Sequence, residues 1–183
     1  HFQPFELNPT MGPEGQDITE HITQKYGISE AQAEANRAVI RERGAALGFT
    51  FSGTNADGGG RSRTYNTFDA HRLLHWAHTV GAVQQKALKE GLFKAYFTDG
   101  ESPASHDVLI KVAQSAGLDP VRAAGILDSD EFAIDVRESE QFYQSQGIHS
   151  VPAVIINDRH LISGGQPVEV FEQALRQIAQ AGA

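Results

Sequence analysis

Hydrophobic positions recur with a helical period over most of this chain. From Asp17 to about Gly147 apolar residues fall three or four positions apart, and Ser29 with Gln32 forms a capping-box pattern before a helix predicted to reach about Ala46. Further helices are predicted from Asn66 or Thr67 to Gly81 and over residues 82–97, 105–116, 120–127 and 131–146.

After Gly147 the period changes from helix to strand. Residues 152–157 form a β-branched run, residues 157–159 supply a turn, and residues 160–163 return, which predicts a β-hairpin. Pro167 begins a last helix, predicted to reach about Ala179, whose apolar side chains share one face: Val168, Phe171, Leu175 and Ile178.

The residue pattern of the opening segment also predicts an extended conformation. Residues 1–7 (HFQPFEL) are rich in aromatic side chains and are followed by Asn8-Pro9, so we expect a strand and then a turn. The sequence therefore predicts an α/β fold in three parts: a strand with its connector over 1–16, a mainly helical insertion over 17–147, and a hairpin with a final helix over 148–183.

Composition and charge narrow the classes of function. The 183 residues carry 15 Lys and Arg against 23 Asp and Glu, and this net charge of −8 argues against a nucleic-acid partner. No apolar run approaches the roughly 18 residues that a membrane span needs, so we expect no membrane partner. Cysteine is absent, which excludes disulfides, thiolate metal sites and a cysteine nucleophile within these residues.

Three histidines share one face of the helix predicted to end at Gly81. At about 100° per residue, His71, His75 and His78 lie within a sector of roughly 60°. The apolar residues cover the opposite side: Ala70, Leu73, Leu74, Trp76, Ala77 and Val80. The histidines could form a zinc site, a polar face that lines a groove, or a solvated face. Because the Glu of an H-E-x-x-H motif is absent, we predict no metal ligand.

Other motifs are explained by structure alone. An X–Pro bond is cis in only about 5–6% of cases, so the sequence by itself favours a trans bond before Pro152. Gly164 and Gly165 suit a tight turn. Residues 58–61 (GGGR) are expected to form a solvated loop, because a phosphate-binding loop would need a Lys-Ser/Thr pair. The aromatic run at 92–97 is expected to pack in the core.

The chain resembles the DsbA-like branch of the thioredoxin superfamily, and most closely its FrnE-type and 2-hydroxychromene-2-carboxylate isomerase-like members. The resemblance is carried, in order along the chain, by FQPFELNP, NTFDAHRLLHWA, GLFKAYF, VPAVIIN and ISGGQP. It implies a thioredoxin-like fold with an inserted helical domain, in which residues 1–7 are the second strand. The first strand and the helix that carries Cys-x-x-Cys in the family's oxidoreductases would then precede His1.

The same resemblance implies an activity and a first set of site residues. The activity is thiol–disulfide oxidoreduction through a mixed disulfide. Pro152 matches the family's cis-proline, a catalytic position, and Ser150 and Val151 would bind a peptide or thiol through strand-like hydrogen bonds. The expected partner is a thiol or disulfide substrate, either protein or small molecule.

A second set of site residues lies in the helical block. Asn66 and His71 match the family's N-T-x-x-A-H segment, which implies substrate positioning, with His71 as a catalytic proton handler. Gln166 is expected to line the same region and to bind substrate.

The sequence leaves two alternatives open. A glutathione-dependent isomerase or transferase would use serine in place of cysteine, and a non-catalytic module would only capture an extended peptide. No cofactor is implied, although glutathione is compatible as a co-substrate. The resemblance to FrnE-type proteins favours the cytoplasm, although a signal peptide would precede His1. The oligomeric state is open, a homodimer included.

Overall fold

The computed structural model describes residues 1–12, 14–52 and 62–181, which divide into two compact units, residues 1–139 and 140–183. The first unit contains β1 (Gln16–Asp17), α1 (Ile18–Tyr26), α2 (Glu30–Ala46), β2 (Arg63–Thr64), α3 (Phe68–Val80), α4 (Ala82–Phe93), a π-helical turn (Lys94–Thr98), α5 (His106–Ser115) and α6 (Pro120–Leu127). Helix α7 (Ala133–Ser145) crosses the boundary, and the second unit continues with β3 (Ala153–Ile156), β4 (His160–Ser163) and α8 (Val168–Ala181). The glycine-rich segment 58–61 lies outside the described residues.

Local capping signals explain where several helices begin. The Ser29 hydroxyl accepts a hydrogen bond from the Gln32 backbone N–H at 3.2 Å, which confirms the predicted start of α2. The Gln32 side chain binds Asn36 instead of returning to Ser29, so only half of the capping box is formed. At α6 the Asp119 carboxylate accepts from the Val121 N–H at 2.9 Å.

Replacing Asp119 by alanine is expected to lower the free energy of unfolding by about 1 kcal/mol, because the start of α6 loses its side-chain acceptor. Urea denaturation would measure the change. Asp107→Ala is a matched control, since this exposed carboxylate lies in the first turn of α5 without a capping bond. Equal losses in both variants would contradict a specific role for the Asp119 bond.

The core of the first unit lies where α3, α4, α5 and α6 pack together. Leu73, Leu88, Leu109 and Ile126 are fully buried at its centre. The predicted apolar side of α3 is confirmed except at Val80, which is 51% exposed because it is the last helical residue before Gly81. Within the described ranges, no helix combines the length and hydrophobicity required to cross a bilayer.

The prediction of a strand over residues 1–7 is wrong. A strand requires a neighbouring backbone, and the described strands pair only as β1 with β2 and β3 with β4. The backbone N–H and carbonyl of Phe2 instead bind the side chain of Gln85 on α4. The segment is therefore held without strand pairing.

Two short features in the first unit were not predicted. β1 and β2 form a two-residue antiparallel bridge that pairs Gln16 with Thr64. The helix predicted over 82–97 changes after Phe93 into the π-helical turn, in which the Asp99 N–H donates to the Lys94 carbonyl at 3.0 Å. The Tyr96 hydroxyl in this turn donates to the Arg63 carbonyl at 3.0 Å.

The second unit confirms the predicted hairpin and final helix. β3 and β4 are antiparallel, with Val154 opposite Ile162. Asn157 and Asp158 both have φ of 54°, a left-handed conformation that these two residue types tolerate better than most. Val168 and Leu175 on the apolar face of α8 are exposed.

Candidate functional site

The sequence-predicted site residues are divided between the two units. Asn66 and His71 belong to the first unit, whereas Ser150, Val151, Pro152 and Gln166 belong to the second. Each unit positions its own set of these residues.

All three histidines of α3 line one small cavity in the first unit. Its volume is about 50 Å³, room for a few water molecules or a small polar group. The lining side chains come from the opening segment, α3 and α4: Phe2, Gln3, Pro4, His71, Leu74, His75, His78 and Gln85. This geometry favours the groove-lining interpretation of the histidine face.

The solvated alternative is wrong for His71, whose residue surface is only 9% exposed. The zinc alternative receives no support either: the described part of the chain contains no cluster of three or more His, Asp or Glu side chains arranged to hold a metal ion.

Burial sets the protonation state of His71. The pKa of this imidazole falls from 6.5 to about 4, chiefly because burial removes water and also because of the positive charges of Lys89 and Arg137. Hydrogen bonding to the Phe5 backbone opposes the fall in pKa. His71 is therefore neutral at neutral pH, with one ring nitrogen as donor and the other as acceptor.

Two cationic side chains near His71 lie against aromatic rings. Lys89 Nζ is 4.9 Å from the ring centroid of Phe93 and 5.9 Å from that of Phe2, and burial lowers the lysine pKa. The Arg137 guanidinium lies 3.9 Å from the Phe68 centroid and also pairs with the buried carboxylate of Glu6. These contacts keep positive charge close to the cavity.

The opening segment is anchored by side chains along its length. Gln85 is only 1% exposed, and its Oε1 accepts from the Phe2 N–H at 3.1 Å while its Nε2 donates to the Phe2 carbonyl at 2.8 Å. Lys25 Nζ donates to the Leu7 carbonyl at 2.9 Å. Sequence reasoning missed Gln85, although a glutamine in line with Leu88 and Leu92 on an apolar stripe is a signal that could have found it.

The Asn66 side chain caps the start of α3. Its Oδ1 accepts from the Phe68 N–H at 2.8 Å and its Nδ2 donates to the Met11 carbonyl at 3.1 Å. Thr67 is the cap residue by position but makes no side-chain capping bond, so Asn66 performs that role. The Asn66 side chain is not among those that line the His71 cavity.

In the second unit Pro152 lies at the base of the hairpin. The Val151–Pro152 peptide bond is cis, and the Pro152 carbonyl accepts from the Gly164 N–H at 2.8 Å. Gln166 Nε2 donates to the Ser163 carbonyl at 2.9 Å, which brings the predicted Pro152 and Gln166 close together through Gly164.

The residues before Pro152 are open to solvent. Ser150 is exposed and Val151 is 43% exposed. Within residues 140–181 the backbone N–H and carbonyl of Val151 make no hydrogen bond. This short segment can therefore pair with an added extended chain.

A helical block placed before a β-hairpin, with a cis-proline at the base of that hairpin, is characteristic of thioredoxin-like proteins with inserted helices. The chain belongs to the DsbA-like thioredoxin domain family, whose model matches residues 1–176. The resemblance recognised in the sequence is thus confirmed at the level of this family and its fold.

Individual relatives support the assignment. The structure of a probable DsbA oxidoreductase, SCO1869 from Streptomyces coelicolor, has a TM-score of 0.85 and 32% identity, covering 96% of this chain and 73% of that one. The protein YwbO of Bacillus subtilis is 23% identical over 175 residues, 95% of this chain and 79% of YwbO.

A 2-hydroxychromene-2-carboxylate isomerase also has a similar structure, with a TM-score of 0.69 and 15% identity over 90% of this chain and 77% of that one. At this identity the likeness shows the fold alone. The solved structures similar to this chain therefore include both a probable oxidoreductase and an isomerase.

Proposed function

We propose that these residues form the substrate-binding part of a DsbA-family thiol–disulfide oxidoreductase of the FrnE type. The proposal is carried by the exposed Val151 beside Pro152, whose backbone makes no hydrogen bond within residues 140–181. The chain is also similar over 96% of its length to a probable DsbA oxidoreductase. An extended peptide or a thiol ligand would pair with this backbone as an added strand does.

The roles proposed for the remaining residues follow from their contacts. Ser150 and Pro152 shape the binding segment around Val151, and Gln166 supports it by holding the Ser163 carbonyl. His71 acts as a neutral hydrogen-bond acceptor toward a substrate thiol or hydroxyl, because burial favours the uncharged ring, in which one nitrogen carries no proton. Asn66 positions His71 indirectly, by fixing the start of α3.

The proposed reaction requires two sulfurs besides those of the substrate. A thiolate attacks one sulfur of the substrate disulfide, the S–S bond breaks, and a mixed disulfide forms while one substrate thiolate leaves. A second thiolate then attacks the mixed disulfide, which reduces the substrate fully and leaves the attacking pair oxidised; the reverse sequence oxidises a dithiol. The 183 residues contain no cysteine, so the attacking pair must lie outside them.

Thiol titration of the protein isolated from its native source tests this proposal, together with its intact mass. We expect a mass above that of residues 1–183, two titratable thiols after reduction, and reduction of insulin disulfides. A mass equal to that of residues 1–183 with no titratable thiol would overturn the proposal.

A second candidate is a glutathione-dependent isomerase or transferase. It is favoured by the fold shared with the isomerase and by the absence of cysteine, since the thiol would then come from the co-substrate. Calorimetric titration with reduced glutathione distinguishes this candidate from the oxidoreductase. If the protein binds glutathione and contains no thiol, the isomerase or transferase is supported. If the protein contains a cysteine pair and does not bind glutathione, this candidate is excluded.

The proposed location is the cytoplasm, by the resemblance to FrnE-type proteins. Fractionation of the source cells checks this, and recovery from an extracytoplasmic fraction would contradict it.

A further inference from the structure

The cavity lined by the three histidines of α3 has a cation beside it, Lys89, that no carboxylate of the described residues pairs with. We propose that this cavity binds the carboxylate group of a small organic acid, with Lys89 as the counter-ion and His78 Nδ1 as a hydrogen-bond donor. The inference goes beyond the proposed function, because it involves no thiol and none of the residues around Pro152.

Lys89 is partly buried and lies against the wall of the cavity. It follows Gln85, a cavity-lining residue, by one turn of α4. Its Nζ is 5.9 Å from the ring centroid of Phe2, which also lines the cavity, and 4.9 Å from that of Phe93. Aromatic rings attract a cation but carry no net charge to neutralise it. Lys89 therefore favours an anion in the cavity.

Two carboxylates in the same part of the fold have other partners. Glu90, the residue after Lys89, pairs with Lys86 at 2.6 Å. Glu6 of the opening segment pairs with Arg137. Because a charge withdrawn from water is costly without a partner, the Lys89 amine gains from a bound anion and repels a bound cation.

His78 provides a polar atom that is not yet satisfied. Its side chain lines the cavity, and its Nδ1 is buried without a hydrogen-bond partner in the part of the chain that the structure describes. The Gln85 amide in the same wall already uses both of its groups to bind the Phe2 backbone. A neutral imidazole carries its proton on either nitrogen, so a carboxylate oxygen at Nδ1 would select the Nδ1–H form and accept its hydrogen bond.

The size and the apolar walls of the cavity favour an organic acid. A site for one water needs on the order of 10–15 Å³, so a cavity of about 50 Å³ holds about four atoms of that size. This number matches a carboxylate group with its attached carbon. Phe2, Pro4 and Leu74 also line the cavity, and these apolar side chains suit a hydrocarbon part that an inorganic anion lacks.

Titration of the protein with sodium acetate at pH 7 tests the inference, with sodium chloride keeping the ionic strength constant. Long-range ¹H–¹⁵N spectra of the histidine rings report binding and the position of the ring proton. We expect a saturable shift at His78, with the proton on Nδ1 in the bound state. The expected dissociation constant is on the order of 1 mM, as suits so small a ligand.

Lys89→Met removes the counter-ion and is expected to weaken acetate binding about fivefold. Lys94→Met is the matched control, because it removes one positive charge from an exposed lysine that pairs with Asp99 at 2.6 Å, and it should keep the parent affinity. His78→Phe keeps a ring and removes the nitrogen. In this variant we expect a similar weakening, measured at the His75 ring.

The absence of a saturable shift in the parent protein would overturn the inference, and so would equal affinities in folded K89M and K94M. If K89M does not fold, the parent affinity in H78F overturns it and a weakened affinity supports it. Acetate binding requires no thiol chemistry. Failure of insulin reduction in the parent protein would thus overturn the proposed function alone, and failure of acetate binding would overturn the carboxylate site alone.

Discussion

Arg72→Met is expected to lower the free energy of unfolding by about 3–5 kcal/mol, because a buried guanidinium is removed and its acceptors are left without a donor. Arg72 is 4% exposed. Its Nε donates to the Glu131 carbonyl at 2.9 Å and its Nη1 to the Asp69 carboxylate at 2.8 Å, while Nη2 binds the carbonyls of Ile126 and Ser129. The Arg72 side chain thus provides hydrogen-bond donors to backbone carbonyls at the end of α6 and in the connection to α7. Urea denaturation of both proteins measures the loss.

The matched control is Arg122→Met, which removes a second arginine that binds the same region. The Arg122 guanidinium pairs with the Glu131 carboxylate, but 42% of the arginine side-chain surface is exposed. An exposed pair is screened by water and salt, so a much smaller loss is expected than at Arg72. Comparable losses in the two variants would show that burial of the Arg72 guanidinium is not what makes it stabilising.

Most helices could be predicted from the sequence because their signals are local. Ser29 before α2 and Asp119-Pro120 before α6 specify helix starts within a few residues, and the structure confirms them. The strand predicted over 1–7 failed because pairing depends on a distant partner. The partner of Phe2 proved to be a side chain 83 positions away.

The sequence predicted which histidines share one face of α3, but it did not predict that His71 is buried. Helical spacing alone places His71, His75 and His78 on one face, and all three line the same cavity. Burial of His71 could not be inferred from α3, because the opening segment forms one side of that cavity. The role of Gln85 was hidden for the same reason, since its partner comes from another part of the chain.

The His71 environment predicts a loss of stability in mild acid. The folded protein lowers the pKa of this imidazole from 6.5 to about 4, so the folded state favours the neutral ring. The resulting stabilisation is fully present above pH 6.5 and is lost as the pH falls from 6.5 to 4, because the unfolded chain binds the proton first. The difference between the two pKa values corresponds to about 3 kcal/mol. Urea denaturation at several pH values across this range would measure it.

His71→Gln isolates this contribution, because the glutamine amide stays neutral across the same range. The variant should lose about 3 kcal/mol less than the parent protein between pH 7 and pH 4. His149→Gln is the control, since it removes an exposed histidine and leaves His71 in place, so the acid sensitivity attributed to His71 should be retained. If His71→Gln and the parent lose stability in parallel, proton binding at His71 is not the cause of the acid sensitivity.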